Sequence, residues 1–406
     1  MAHSFAVVGA DTLAAKRAVR AAGCTHVVVQ AYWDRLQPAG PGSALDAGQL
    51  AALVAQYDDA AAVGLRVVLE HAVHFPPAWV ADRVEAFRDQ SGREYLPGPD
   101  QPGKRIRNWM WTAAGRALVA DLVALVAAGI GQARVAATDR VRFGGGWYGE
   151  LQYPAEYVSA PYSYYGFGTA MQTGRGLAED PLLRACPLPG YRPFTGTDAQ
   201  DAAWIDWYLD GIESWLLFGV ARLKAAGYRC DLMVLHPGSS VRADQTRADA
   251  AYRQNTASGV DFVRALGRYK DDPQVWPWST WINGPDPASP VRVDSDQAAW
   301  KKLAAEATLR GKGARMWGEN TGGEDDAGMD EVFAEALAPV PASGLPLQVG
   351  TSSRPASYTG YAGLMWLDYR DLTSGTPGRA TLAHYRAAIA RDNARAGRAT
   401  GAGTER

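Results

Sequence analysis

Two glutamates carry the pattern most suggestive of chemistry. Glu150 closes the stretch Gly144-Gly-Gly-Trp-Tyr-Gly-Glu150, and Glu319 sits in Met316-Trp-Gly-Glu-Asn320, so each follows a glycine and has aromatic neighbours. Two carboxyl groups facing each other can cleave a glycosidic bond. One, protonated, gives its proton to the leaving oxygen, while the other, ionised, acts from the opposite side of the sugar ring. Gly149 and Gly318 allow the backbone to turn tightly at these points. Either glutamate alone reads equally well as a solvated loop residue paired with an arginine. The informative feature is that both occur at comparable places in the chain.

The elements that would hold them follow from the hydrophobic pattern. Strands are expected over 5–8, 25–30, 66–70, 140–143, 230–235, 275–282, 314–317 and 363–367, where short apolar, β-branched runs stand between turn residues. Helices are expected over 13–22, 47–63, 113–128, 202–226, 247–267, 297–310, 329–338 and 380–391, several of them stopped by a glycine such as Gly64, Gly129 or Gly227. Eight strands and eight helices in strict alternation predict an α/β fold, a closed (β/α)8 TIM barrel with long βα loops, occupying 1–391 as one catalytic unit. A doubly wound sheet would carry a GxGxxG turn after its first strand, and Val8-Gly-Ala-Asp-Thr12 has none. The tyrosine-rich loop 151–200 reads as a lid or wall of the site, and 392–406 as a disordered tail.

In such a barrel the chemistry lies at the C-terminal ends of the strands. Trp33, Trp147, Tyr148, Tyr153, Trp278, Trp317 and Trp366 are expected there, as rings that stack on sugar faces, and His74, Asn320 and Asp368 as partners for hydroxyls. The 14 Trp and 18 Tyr against 9 Phe fit that use, since flat rings with a polar edge suit sugars. Large cores also use aromatics, and His74 reads alternatively as a core histidine satisfied by backbone. Carboxylates and water suffice for this reaction, so no metal and no cofactor is expected.

These residues also carry a resemblance. Gly149-Glu-Leu-Gln-Tyr-Pro154 resembles the GELRYP segment of β-amylases that contains their general acid, and Gly318-Glu-Asn320 the segment that contains their general base. Trp204-Ile-Asp-Trp-Tyr-Leu209 and Gly363-Leu-Met-Trp-Leu367 are similar to further β-amylase segments, whereas Phe75-Pro-Pro-Ala-Trp-Val80 is similar to family forty-two β-galactosidases. Tyr32-Trp33, Pro38, Gly40 and Gly64-Leu65 fit both. The resemblance runs over about residues 5 to 370. It implies a glycoside hydrolase with Glu150 as acid, Glu319 as base, and inversion. The β-galactosidase-like alternative is retention, with Glu319 as nucleophile and Glu150 as acid/base. The sequence departs from β-amylases at Gln30, where they have Asp, and at Asp368, where they have Arg. His74 leads almost directly to Pro76-Pro77, so their glycine-rich lid is missing, and their lysine after strand five is replaced around Leu235-His236. The resemblance thus implies the reaction and not starch as substrate.

The glutamate pair and the resemblance imply a carbohydrate substrate as partner, and composition speaks against the main alternatives. A formal net charge of −2 and a pI near 6.3 speak against nucleic acid or an anionic membrane. Cys24, Cys186 and Cys230 show no CxxC spacing, which disfavours a disulfide framework or a thiolate zinc site. The first residues do not read as a signal peptide, consistent with a cytoplasmic chain or one secreted with its leader removed. No segment is expected to reach the roughly eighteen apolar residues that span a bilayer. Two other classes remain open: a metal-dependent barrel hydrolase using Glu70, His71, His74 and His236, and a non-catalytic carbohydrate-binding barrel. Against the former, adjacent Glu70 and His71 point to opposite faces of a strand.

Overall fold

The computed structural model describes residues 3–97, 106–154, 162–174, 180–242, 245–280, 282, 301, 304–306, 308–309, 315–320, 329, 333, 337, 340–341, 357–358, 361–366 and 368–401. Eight parallel strands close a ring: β1 (Ser4–Val8), β2 (His26–Tyr32), β3 (Arg66–Ala72), β4 (Thr138–Phe143), β5 (Asp231–His236), β6 (Val275–Ser279), β7 (Trp317–Asn320) and β8 (Gly363–Trp366). Each strand pairs with its neighbours in chain order, and β8 pairs with β1, which completes the expected (β/α)8 barrel. Val340–Pro341 and Ser357–Tyr358 form a short antiparallel pair apart from the ring.

Helices cover the outside, and their starts follow from local chemistry. Thr12 accepts from the Ala15 N–H at the head of α1 (Leu13–Ala21), and Asp46 from the Gln49 N–H at the head of α2 (Ala47–Ala62). Thr112 does the same for α3 (Ala113–Ile130), and Thr197 with Gln200 forms a reciprocal cap on α4 (Asp198–Ala225). Each such cap stabilises its helix by about 1 kcal/mol. The expected helix over 247–267 is two helices, α5 (Ala250–Ala257) and α6 (Phe262–Tyr269), broken where Gly259 turns at φ +71°.

Three further expectations change. By length and composition α3 is apolar enough to cross a bilayer. It is instead a core helix, with Val119, Leu122, Val123, Val126 and Ile130 buried along one face. The closing helix α7 runs Leu382–Gly401, so 392–401 is helical rather than a disordered tail, and Asp392 is anchored by His3 at 2.8 Å. β7 begins at Trp317, where it was expected to end, so Glu319 lies within the strand instead of past it. The remaining parts of the expected helices over 297–310 and 329–338, and Leu367, lie outside the described residues.

The strand register sorts the two faces of the barrel. Ala6 pairs with His26 and Met365, Met365 with Glu319, Gln30 with Glu70, and Glu70 with Arg142. In a parallel sheet paired residues share a face, so these side chains point inward together. The alternate residues, such as Phe5 and Trp366, point outward and pack on Tyr385 of α7.

Candidate active site

The chain between β4 and Glu150 is folded tightly back on itself. The Gly145 N–H donates to the Gly149 carbonyl at 3.0 Å and the Gly146 N–H to the Glu150 carbonyl at 2.8 Å. A side chain on Gly144 or Gly146 would strike the returning backbone, which accounts for the glycine run. Gly149 sits at φ +81°, and a Cβ there would come within 2.8 Å of the His74 ring and 3.2 Å of Glu70. Tyr148 itself takes φ 55°, a conformation that disfavours tyrosine by roughly 1–2 kcal/mol and fixes how Glu150 emerges.

Glu150 is buried, and both of its oxygens are engaged. The Gln152 amide donates to Oε2 and the Thr280 hydroxyl to Oε1, each at 2.5 Å. Glu319 is buried too, and Arg142 Nη2 donates to its Oε2 at 2.5 Å. Arg142 spans the barrel interior from β4. Its guanidinium lies 2.9 Å from Met365 Sδ, 3.6 Å from Glu70 and 4.7 Å from the Trp278 ring centroid. From Glu70 the network continues to Gln30 at 3.1 Å and on to the Tyr32 hydroxyl, which donates to Gln30 at 2.6 Å. Burial pushes the Tyr32 phenol up to about 12, so it stays a donor at neutral pH.

Strands β4 and β7 stand three places apart around the ring, not diametrically opposite. Two routes nevertheless bring their glutamates to the same mouth. Thr280, one residue past β6, holds Glu150, and two residues on the Ile282 N–H donates to the Glu319 carbonyl at 3.0 Å. On the other side Arg142 and Glu70 bridge from Glu319 to Gly149, the neighbour of Glu150.

The other expected site residues divide. His74 is buried at this mouth, against Gly149 and 4.4 Å from the Phe75 ring, and Trp147 and Tyr148 are half-buried beside it, packed edge to face. Asp368 is half-buried over Gly9 at the end of β1, caps the short helix Tyr369–Thr373 and pairs with Arg370 at 2.6 Å. The Asn320 side chain lies outside the described residues.

Five aromatics are core residues instead. Trp33 is fully buried, gives its N–H to Gln37 and packs on Trp79 and Trp109. Tyr153 stacks on Tyr208 and donates to its carbonyl. Trp317 and Trp278 stack at 4.9 Å inside the barrel, with Arg140 over Trp317, one inward position beneath Glu319. Trp366 faces outward, because its neighbour Met365 takes the inward position. The described part of the loop 151–200 is likewise a packed wall: Tyr164 and Phe167 lie on Trp204.

The histidines of the metal-site alternative do not converge. His71 is buried on the outer face near Tyr228, and His236 is buried outside β5, bonded to Tyr269 at 3.0 Å. Burial lowers both, His71 to about 4 and His236 well below its ordinary value. Arg142 and Thr280 escaped the sequence reading, and Gln30 and Tyr32 were noted there only for the resemblance, without a site role. A charge within an otherwise apolar strand, as in Arg140-Val-Arg142-Phe143, was the signal available for the first. Gln152 lay inside the recognised segment but without an assigned role.

No protein family and no curated protein matches this sequence. Solved structures similar to it include a β-galactosidase from the psychrophilic Marinomonas ef1, with a TM-score of 0.56, 15% identity, and coverage of 98% of this chain and 60% of that one. Another is a polyextremophilic β-galactosidase from the Antarctic haloarchaeon Halorubrum lacusprofundi, with a TM-score of 0.55, 14% identity, and coverage of 97% and 57%. A β-galactosidase from Bacillus circulans sp. alkalophilus gives a TM-score of 0.54 at 11% identity, with coverage of 97% and 55%. At these identities the likeness establishes the fold, and the chain spans well under two thirds of the length of each.

Proposed function

We propose that the chain is a glycoside hydrolase that cleaves an O-glycosidic bond of an oligo- or polysaccharide, with Glu150 as proton donor and Glu319 as base. The observation that carries this reading is the pair of buried carboxyls tied to one segment at the barrel mouth. A guanidinium lies against Glu319 and neutral donors lie against Glu150. The positive charge favours an ionised Glu319. The Thr280 hydroxyl can rotate to accept rather than donate, which suits a protonated Glu150.

In the proposed step the Glu150 proton passes to the glycosidic oxygen as the bond from the anomeric carbon to that oxygen breaks. Glu319 takes a proton from water as the water oxygen bonds to the anomeric carbon, and the configuration inverts. The similarity of Gly149-Glu-Leu-Gln-Tyr-Pro154 to β-amylases supports inversion. A second reading, retention, fits the Arg142 contact as well, since it would equally hold Glu319 for direct attack on the anomeric carbon. The β-galactosidases of similar fold make β-galactosides the first substrates to try.

The test is a digestion panel of β-galactosides, other oligosaccharides and polysaccharides, with products identified by mass and the first-formed anomer by proton NMR. Cleavage that disappears in the Glu150→Gln, Glu319→Gln double variant is expected. Undiminished cleavage by that variant would overturn the assignment, and the anomer decides between inversion and retention.

A further inference from the structure

Behind the mouth, on the outer side of β5 and β6, Lys301 is completely buried. Its ammonium donates to the Pro237 carbonyl, just past β5, and lies 3.5 Å from the Ser279 hydroxyl at the end of β6. The Phe262 ring of α6 covers it at 5.4 Å. Ser279 immediately precedes Thr280, whose hydroxyl holds Glu150 and whose N–H donates to the His236 carbonyl at 2.9 Å. Among the described residues no carboxylate lies within ion-pair distance of this ammonium, and Glu150 is the acid within its electrostatic reach. A buried cation without an adjacent counter-ion is costly, and a neutral side chain would fill the same space without that cost.

We propose that Lys301 is a positioning residue for Glu150: it ties the ends of β5 and β6 together so that Thr280 meets the carboxyl, and its charge sets how tightly that carboxyl holds its proton. The proposal rests on the reading of Glu150 as proton donor. Burial pushes Lys301 down to about 7, so its charge is shed in the neutral range. Among the described residues, the other titratable groups around the pair are His236 of β5, Tyr269 of α6 and Tyr361 before β8 on the Lys301 side. On the Glu150 side they are His74, Glu70, Arg142 and Glu319. His236 is held neutral by burial, which leaves Lys301, among the described residues, as the variable charge behind Thr280.

The experiment is a carboxyl-carbon NMR titration of the full chain labelled at glutamate, with the Glu150 signal assigned by its loss in Glu150→Gln. In Lys301→Met and Lys301→Gln, the latter still able to donate to Pro237, the Glu150 pKa should rise by about half a unit or more. Lys301→Arg, which stays charged, should leave it at or below the parent value. In the unsubstituted chain the Glu150 signal should carry a second inflection near pH 7, where Lys301 loses its proton. This measurement serves even if the neutral variants do not fold. An unmoved Glu150 titration in the neutral variants, an equal rise in the arginine variant, or the absence of the second inflection would each overturn the proposal. If the titration behaves as expected but Glu150→Gln keeps normal turnover, the catalytic reading fails while the coupling stands.

Discussion

Arg142 is the side chain whose loss should be felt most, and its effect can be worked from the geometry. Its guanidinium serves two buried carboxylates, Glu319 at 2.5 Å and Glu70 at 3.6 Å. With charge centres about 4 Å apart and an effective permittivity of about 20, one such contact amounts to about 4 kcal/mol. Measured losses on orphaning one member of a buried pair are about 3–5 kcal/mol. Arg142→Met, which fills the space without charge, should therefore destabilise the barrel by about 3–5 kcal/mol at pH 7 in urea unfolding. The cation–π contact with Trp278 adds up to about 1 kcal/mol. At about pH 5 the deficit should shrink, because an orphaned carboxyl can then take up a proton. Adding Glu319→Gln should relieve the deficit, giving a coupling of about 2 kcal/mol or more in the double-mutant cycle. An Arg142→Met chain within about 1 kcal/mol of the parent, or a deficit that Glu319→Gln does not relieve, would refute the view that this guanidinium holds Glu319 ionised.

On a substrate with a poor leaving group, Glu150→Gln should lower kcat/KM by about two to four orders of magnitude, and clearly less on an activated aryl glycoside; Glu319→Gln should fail on both. Equal losses for Glu150→Gln on the two substrates would argue against its role as acid. Gly149→Ala should cost about 1–3 kcal/mol of stability and reduce turnover, since φ +81° and the His74 ring both oppose a Cβ, and a fully active variant would contradict that geometry. His71, lowered by burial to about 4 from 6.5, contributes stability that is present above about pH 6.5 and lost as pH falls toward 4. His71→Phe should flatten the acid slope of unfolding free energy over that window, by at most about 3 kcal/mol, and an unchanged slope would count against it.

The barrel was legible because most strand runs are β-branched and followed by a helix, several of those helices carrying a glycine stop, and parallel strands buried on both faces leave continuous apolar stretches. The two glutamates could be singled out as candidates for a similar reason, since strand ends are where such a fold displays acids. What the sequence hid was parity and register. The Met316-Trp-Gly-Glu-Asn320 segment contains few β-branched residues to mark its limits, so β7 was expected a few residues early and Glu319 appeared to follow it. Trp366 could not be told from a mouth residue without knowing that Met365 pairs with Glu319 on the inner face. Trp33, Tyr153, Trp278 and Trp317 look like sugar platforms in one dimension, and only packing reveals that other rings or guanidinium groups already occupy their faces. Thr280 gave no signal, because its role depends entirely on the loop before Glu150 reaching it.

The charged layer inside the barrel also bears on how the chain reaches this state. Arg142 and Glu319 are separated by 177 residues, and Ser4 of β1 finds its partner only when Gly363 arrives. During synthesis the β1–β4 half would emerge with Arg142 and Glu70 on the surface that must become interior, able to pair with each other but not yet with Glu319. The Arg142–Glu319 pair can form only once β7 is available, so it belongs to the completed ring. Contacts so distant along the chain slow folding, and the polar lining lessens the tendency of the waiting half-barrel to stick to itself.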